Sequence, residues 1–202
     1  MLFEIPTHDP RLPPSDPPWP PQGQWTYEDY LRLPDDGRRY EIIDGVLYVT
    51  NAPDWLHQRI VMRLGAHVEN LLTGLGRGEA VIPAPFEVHL PGHAKPVLPD
   101  LLYIAPEHCP NEPPKFFEGA PDLVVEIISP SSVRLDRYVK FGAYERAGVR
   151  EYWLIDLGTR SLEVYVLSAG EYALLGQFGP QETARSQVLP ELTMAVGSLF
   201  ET

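Results

Sequence analysis

The spacing of apolar residues along the chain predicts a mixed sheet with helices packed against it. Between residues 54 and 72, apolar residues recur every three or four positions, which predicts a helix with one apolar face. The residues of that face are Leu56, Ile60, Leu64, Val68 and Leu71. Short apolar runs bounded by glycine, proline or polar residues predict strands. These runs span 40–43, 46–49, 80–82, 86–90, 97–104, 122–129, 151–156, 162–167 and 172–178.

Turn and capping residues predict where these elements begin and end. Asp44 and Gly45 stand between two of the apolar runs, in the pattern of a two-residue hairpin turn. Thr26, with an acid three positions later, has the capping-box pattern and predicts a helix over 27–33. Gly148 ends a further predicted helix. The order of helices and strands indicates an α/β or α+β domain.

Length and proline content predict one folded domain preceded by an extended arm. The chain has 202 residues, a length typical of one domain. Eight of its 23 prolines fall within residues 1–22, and paired prolines favour an extended, polyproline-like backbone. We therefore predict an arm over 1–24 and a single domain over 25–202.

The charge balance restricts the classes of function. Sixteen basic residues against 28 acidic residues give a net charge of −12, whereas proteins that follow long nucleic acids carry basic surfaces. Nucleic-acid binding therefore requires local basic clusters, or metal ions that offset carboxylates. Cys109 is the single cysteine, which excludes an internal disulfide and fits a reducing, cytoplasmic setting. The chain contains no apolar run long enough to predict a membrane span.

Two acidic residues within apolar strands are the first candidates for chemistry. Glu126 stands inside the run Leu-Val-Val-Glu-Ile-Ile, and Asp100 follows Pro99 in the preceding predicted strand. A buried carboxylate needs a cation, a proton or hydrogen bonds. Two carboxylates on adjacent strands provide the hard oxygen ligands that Mg²⁺ or Mn²⁺ prefers. The alternative is that each acid caps a backbone group or pairs with an arginine.

Lys140 is one of only three lysines and lies in the predicted helix after Glu126. From Glu126 the strand continues for about four residues, or roughly 13 Å at ~3.3 Å each. A helix that doubles back descends roughly 10 Å over about seven residues from Val133, at ~1.5 Å each. This geometry returns Lys140 to the level of Glu126. The alternative is a solvated helix lysine.

Basic residues cluster on both long predicted helices. Arg59 and Arg63 are four positions apart on the first of them and therefore share a face. Arg134 and Arg137 lie on the second, in a stretch with more basic than acidic residues. We predict that these arginines contact nucleic-acid phosphates. The alternative is that they form the polar outer faces of two amphipathic helices.

Several motifs stand in a characteristic order along the chain. The matching residues and segments are 40–45, Pro53, His57, 99–101, 120–131, Asp136, Lys140, Tyr144 and 147–156. In this order and spacing they resemble the Uma-two family of bacterial endonucleases, a branch of the restriction-endonuclease-like PD-(D/E)xK superfamily. The resemblance covers about residues 25–200, and the stretch 120–156 is its most specific part.

The resemblance implies both a fold and a metal site. The fold would be a mixed central sheet flanked by helices. Asp100 and Glu126 would be the two strand acids of the superfamily. The backbone carbonyl of Ile127 and the side chain of Glu41 would complete the ligands of Mg²⁺ or Mn²⁺. The superfamily motif has a lysine two positions after the second acid, where this chain has Ile128.

The resemblance also implies a replacement for that lysine. Some branches of the superfamily carry it on the following helix, where Lys140 is the natural substitute. Lys140 would orient or deprotonate the attacking water and stabilise charge on the phosphate. His57 and Tyr144 would contact the metal ligands and Lys140 without binding the metal themselves.

Three hypotheses about function follow. The first is a metal-dependent endonuclease that hydrolyses phosphodiester bonds, with DNA as the expected substrate. The second is a member of the fold without catalysis that binds nucleic acid or protein, and convergence of the candidate residues in one cleft would argue against it. The third is a small-molecule or nucleotide enzyme, which a narrow, closed pocket would favour. A homodimer is a further hypothesis, because cleavage of both strands needs two sites.

Overall fold

The computed structural model describes residues 12–76, 79–129 and 132–201. The helices in these ranges are α1 (Tyr27–Tyr30), α2 (Trp55–Leu75), α3 (Phe141–Ala147) and α4 (Val196–Leu199). The first strands are β1 (Arg39–Ile43), β2 (Val46–Thr50), β3 (Ala80–Pro83), β4 (Val88–Leu90), β5 (Ala94–Val97) and β6 (Leu101–Ile104). The remaining strands are β7 (Phe117–Glu118), β8 (Leu123–Ile128), β9 (Glu151–Asp156), β10 (Ser161–Ser168), β11 (Glu171–Phe178), β12 (Thr183–Arg185) and β13 (Thr193–Ala195). None of the helices in the described ranges is long and apolar enough to cross a membrane.

The strands of the described residues form two larger sheets and the β12–β13 pair. The first sheet has the order β11-β10-β9-β8-β6-β3, with β8 parallel to β9 and antiparallel to β6. We call it the large sheet. The second has the order β2-β1-β5-β4-β7 and is antiparallel except for the β4–β7 pair. We call it the small sheet. The predicted mixed sheet with flanking helices is therefore confirmed.

One face of the large sheet packs against the small sheet. Side chains alternate between the two faces of a strand, and on β8 Val124 and Ile128 pack in one core with Ile43 of β1 and Val88 of β4. Glu126 lies between Val124 and Ile128 in the alternation and therefore shares their face. The sequence thus places a carboxylate in the contact between the two sheets.

The opposite face of the large sheet packs against α2. Val125 and Ile127 of β8 share a core with Ile60 and Leu64 of α2 and with Leu199 of α4. The apolar stripe predicted for the long helix is therefore the face that it buries. This packing fixes the N-terminal end of α2 beside the strands that carry the acidic residues.

The described part of the predicted arm, residues 12–24, contacts the domain. Leu12 is buried in a small core with strands β1 and β2. The ring of Trp19 stacks on that of Trp25, with centroids 5.5 Å apart. Residues 1–11 lie outside the described residues. The division into an arm and a domain stays a prediction.

The structure shortens the helix predicted over 27–33 to α1 (Tyr27–Tyr30), changes two further predicted elements and confirms another. The strand predicted over 97–104 is two strands, β5 and β6, which belong to different sheets. Pro99 has no N–H for a ladder, and Asp100 lies just before β6. The helix predicted after β8 begins as a π-helix, Leu135–Lys140, that runs into α3. The hairpin predicted at Asp44 is confirmed as the β1–β2 pair.

Candidate functional site

Asp100, just before β6, lies opposite Glu126 on the neighbouring strand β8 of the large sheet. The register pairs Leu101 of β6 with Val125 of β8. Because that pair is antiparallel, Asp100 comes next to Glu126 on the same face. The two residues are only 3% and 2% exposed. The sheet therefore brings both strand acids to one buried place.

Lys140 joins these acids to the small sheet. Its Nζ atom lies 2.9 Å from Oε1 of Glu41, on β1, and 3.0 Å from Oε1 of Glu126. Asp136, on the same face of the π-helix, lies 3.8 Å from that amine through Oδ1. The chain after β8 thus returns Lys140 to the level of Glu126. A single amine contacts carboxylates from both sheets.

Three groups hold the carboxylate of Asp100. Arg39 donates from Nη1 to Oδ1 at 2.9 Å, and the backbone N–H of Ile127 donates to Oδ2 at 2.9 Å. Nε2 of His57 lies 2.9 Å from Oδ2. The other ring nitrogen of His57, Nδ1, is buried without a hydrogen-bond partner among the described residues. A water or substrate oxygen would satisfy it.

Burial and charge act in opposite directions on Lys140 and Asp100. Burial alone would lower the pKa of Lys140, but the negative charges of Glu126 and Glu41 outweigh it and raise that pKa. Burial alone would raise the pKa of Asp100, but the hydrogen bond and charge of His57, with other nearby cations, lower that pKa. Lys140 is therefore protonated and Asp100 ionised at neutral pH.

Two other acids beside Lys140, Glu126 and Asp136, have raised pKa values. Burial raises the pKa of Glu126 well above its usual range, although the charge of Lys140 opposes this. Burial likewise raises the pKa of Asp136 to about 6. Tyr144 donates its hydroxyl to Oε1 of Glu126 at 2.8 Å, and burial raises the pKa of that phenol too. Burial and the charges of the neighbouring acids therefore both favour the neutral form of Glu126.

The composition of the cluster fits a hard divalent cation. Four carboxylates minus two permanent cations leave a formal charge of −2. The acids are Glu41, Asp100, Glu126 and Asp136, and the cations are Arg39 and Lys140. Glu41 and Glu126 each contact Lys140 through Oε1, so the Oε2 atom of each takes no part in these contacts. No three His, Cys, Asp or Glu side chains of the described residues are arranged to hold a metal ion.

The cluster lines a cavity of about 380 Å³. Thr50 at the end of β2 and the loop 51–54 before α2 form part of its lining, together with Ser129, Ser132 and Leu135. Ile127 also lines it. The cavity is partly open to solvent, so it is not the narrow, closed pocket that the small-molecule or nucleotide hypothesis expects.

The arginines predicted to bind nucleic acid make other contacts. Arg63 donates to backbone carbonyls of α4, and the guanidinium of Arg59 lies 4.5 Å from the ring centre of Trp55. Arg134 is exposed on the first turn after β8, and Arg137 forms ion pairs with the large sheet. The structure does not bring these four side chains to the acidic cluster.

Arg137 ties the π-helix to the large sheet. Its Nη1 and Nη2 donate to the two carboxylate oxygens of Glu163 at 2.8 and 2.9 Å, and Nη2 also donates to Asp156 at 3.1 Å. Burial alone would raise the pKa of Glu163, but hydrogen bonds from Arg137 and Tyr165 lower that pKa. Burial alone would also raise the pKa of Asp156, but hydrogen bonds from the Thr159 N–H and Arg137 lower that pKa.

We expect Arg137→Met to reduce the free energy of unfolding by about 2 kcal/mol at neutral pH, because charge-assisted hydrogen bonds are lost. The folded pKa values of Glu163 and Asp156 lie below the unfolded ones. This contribution is therefore complete above the unfolded pKa values and is lost as the pH falls through the folded ones. Urea denaturation should show the wild-type advantage shrinking toward acidic pH. Arg185→Met, at an exposed position of β12, is the control, and a constant difference across pH would contradict the assignment.

Arg39 and Asp136 have no assigned role in the sequence-based prediction of the site. Arg39 stands two positions before Glu41 and therefore shares its face of β1. Asp136 stands four positions before Lys140, which places both on one face of a helix. Each spacing is a signal that pairs the residue with a predicted site residue. The spacing does not predict that Arg39, on the small sheet, contacts Asp100 beside the large sheet.

Two comparisons with known proteins bear on this site. A family profile described as "Uma2: Putative restriction endonuclease" matches residues 27–197. A crystal structure of "a putative nuclease belonging to DUF820" from Anabaena variabilis ATCC 29413 is similar, with a TM-score of 0.72 and 20% sequence identity. The match covers 87% of this chain and 97% of the other. No curated protein matches. The predicted family resemblance and the predicted fold are confirmed.

Proposed function

Because the chain belongs to the Uma2 family of restriction-endonuclease-like proteins, we propose that it is a metal-dependent nuclease with its site at the cluster around Lys140. Family and fold indicate a nuclease at the level of class. The proposed reaction is phosphodiester hydrolysis. The oxygen of water forms a bond to phosphorus, one ester P–O bond breaks, and the leaving oxygen takes a proton.

The observation that carries the proposal is the convergence of four residues from separate elements on one cavity. The residues are Glu41, Asp100, Glu126 and Lys140. Burying a carboxylate carries a desolvation cost, and a single ion pair would already neutralise the charge of Lys140. A surplus of buried acids with shifted pKa values beside a cavity is typical of functional sites. This arrangement supports a nuclease over a binding module without catalysis.

The carboxylates would hold the metal. Asp100, Glu126 and Glu41 would be its side-chain ligands, with the backbone carbonyl of Ile127 as a further oxygen donor. Bound there, Mg²⁺ or Mn²⁺ would lower the pKa of a water molecule and offset the charge of the phosphate. The oxygen donors of these residues and the net negative charge of the cluster support this assignment.

The neighbouring side chains would position the substrate and these ligands. Lys140 carries a proton, so it would donate from Nζ to a phosphate oxygen or to the attacking water and would not act as a base. His57 and Arg39 hold opposite oxygens of Asp100. Tyr144 fixes Glu126 through its hydroxyl. These contacts limit rotation of the carboxylates, which favours a preorganised site.

DNA as the substrate and a homodimer as the active form remain predictions. Light scattering tests the second one. A dimeric mass at micromolar concentration is the expected result, and a monomeric mass would reject the homodimer.

The nuclease proposal is tested by cleavage of labelled DNA and RNA, single-stranded and duplex, in Mg²⁺, Mn²⁺ or EDTA. We expect cleavage with either cation and none in EDTA. Calorimetry should detect Mg²⁺ binding that disappears in the Asp100→Ala, Glu126→Ala double variant. The double variant, purified in parallel, also measures background from contaminating nucleases. Absence of cleavage with both cations on every substrate would reject the proposal and favour a binding module.

A further inference from the structure

The cavity at the candidate site is small for a nucleic-acid duplex. Its volume of about 380 Å³ lies at the lower end of pockets that hold one small ligand. Glu41, Asp100 and Glu126, which line it, are only 2%, 3% and 2% exposed. A backbone phosphate reaches such recessed groups only where the strand bends into the cavity. Base pairing restricts that bending, and a single strand is free of the restriction.

The charge distribution also disfavours a duplex. Duplex binding depends largely on basic side chains that neutralise many phosphates, and this chain has a net charge of −12. Arg137 is engaged by Glu163 and Asp156, and Arg63 by carbonyls of α4. Affinity must therefore come largely from another interaction. Single strands offer base stacking, because their bases are unpaired.

Trp55 is an exposed aromatic residue whose neighbour in the chain lines this cavity. It is 63% exposed and is the first residue of α2, directly after Asp54, which lines the cavity. His57, in the same helical turn, lines the cavity as well. The guanidinium of Arg59 lies 4.5 Å from the ring centre of Trp55. This contact favours one orientation of the indole, and most of the residue stays open to solvent.

Resting on the nuclease function proposed above, we propose that the site takes single-stranded nucleic acid and that Trp55 is the platform on which one base stacks. The neighbouring phosphate then enters the cavity toward Lys140, while Arg59 supports the indole and adds positive charge beside the strand. Every base has a face that stacks, so little sequence preference is expected. Cleavage of one strand needs one site, so this proposal does not depend on the homodimer predicted above.

The test measures binding by fluorescence anisotropy in Ca²⁺ and cleavage separately in Mg²⁺. We expect a labelled oligothymidylate or oligouridylate to bind at least about tenfold more tightly than a duplex of equal length. Trp55→Ala should weaken single-strand binding by about tenfold, and Trp55→Phe should retain most of it. An abasic strand with the same phosphates should bind the wild type weakly. Tyr138→Ala, which removes another aromatic residue that is 72% exposed, is the matched control and should leave binding unchanged.

Each outcome has a distinct meaning. Equal or tighter binding of the duplex, or unchanged single-strand binding by Trp55→Ala, would overturn the proposal. Thymidine 5′-phosphate competing as strongly as the oligonucleotide would overturn it in favour of a mononucleotide substrate. Base-dependent single-strand binding without cleavage would support the stacking platform and reject the nuclease function. Comparison of the oligothymidylate with the oligouridylate distinguishes DNA from RNA as the ligand. Thermal unfolding checks that Trp55→Ala is folded.

Discussion

Replacing Lys140 with methionine should reduce phosphodiester cleavage by about 10³-fold, the order expected when a positioned donor or proton-transfer group is removed. Methionine keeps an unbranched stem of similar length but has no charge and no donor. Nζ of Lys140 lies within 3.0 Å of carboxylates from both sheets. Its loss therefore removes the one amine among the described residues that line the cavity. The measurement is kcat/KM for the best substrate in Mg²⁺.

The same substitution should also lower the free energy of unfolding in EDTA by about 3–5 kcal/mol, because it leaves buried acids without their cation. Glu126 and Asp136 already have raised pKa values, and losing Lys140 raises them further. A raised folded pKa favours folding below the unfolded value and costs stability as the pH rises through the folded value. The deficit should therefore be smaller at acidic pH than at alkaline pH.

Lys115→Met is the control for Lys140→Met, because it makes the same chemical change at an exposed lysine. It should alter neither cleavage nor stability. Lys140→Arg keeps the charge and should fold better than Lys140→Met. Activity is compared well below the unfolding temperature of each variant. Undiminished cleavage by folded Lys140→Met would exclude Lys140 from the reaction.

Local patterns in the sequence were sufficient to predict the two sides of this site. Glu126 stands out because a carboxylate interrupts an apolar strand, and the lengths of that strand and the next helix place Lys140 beside it. Both features depend on the few residues between them, where rise per residue fixes the distance. The structure agrees on that geometry, although the chain between them includes a π-helix.

The parts that sequence did not predict depend on packing between distant segments. Arg39 contacts Asp100 across the two sheets, and no local spacing encodes that pair. Arg63 and Arg137 look like free basic residues on helices, but their partners come from α4 and from the β9–β10 hairpin. The break at Pro99 likewise separates two sheets, which an uninterrupted apolar run does not reveal.

Replacing Glu126 with glutamine should reduce cleavage by about 10³-fold, because the proposed metal loses a charged ligand. Unlike Lys140→Met, it should change the free energy of unfolding by less than about 1 kcal/mol. Burial raises the pKa of Glu126, so the fold already favours a neutral side chain at this position. Glutamine keeps a carbonyl oxygen that accepts from Lys140 and Tyr144, and Lys140 keeps its contact with Glu41.

Calorimetry and urea denaturation in the same buffer distinguish a metal ligand from a structural acid. A ligand predicts weakened Mg²⁺ binding with the stability retained, whereas a structural role predicts lost stability with any activity of the folded fraction retained. Glu112→Gln, at an exposed loop position, makes the matched change and should affect neither measurement. Full cleavage by Glu126→Gln would remove Glu126 from the metal ligands. The surplus of buried acids would then have to be explained by folding alone, at the desolvation cost that buried carboxylates carry.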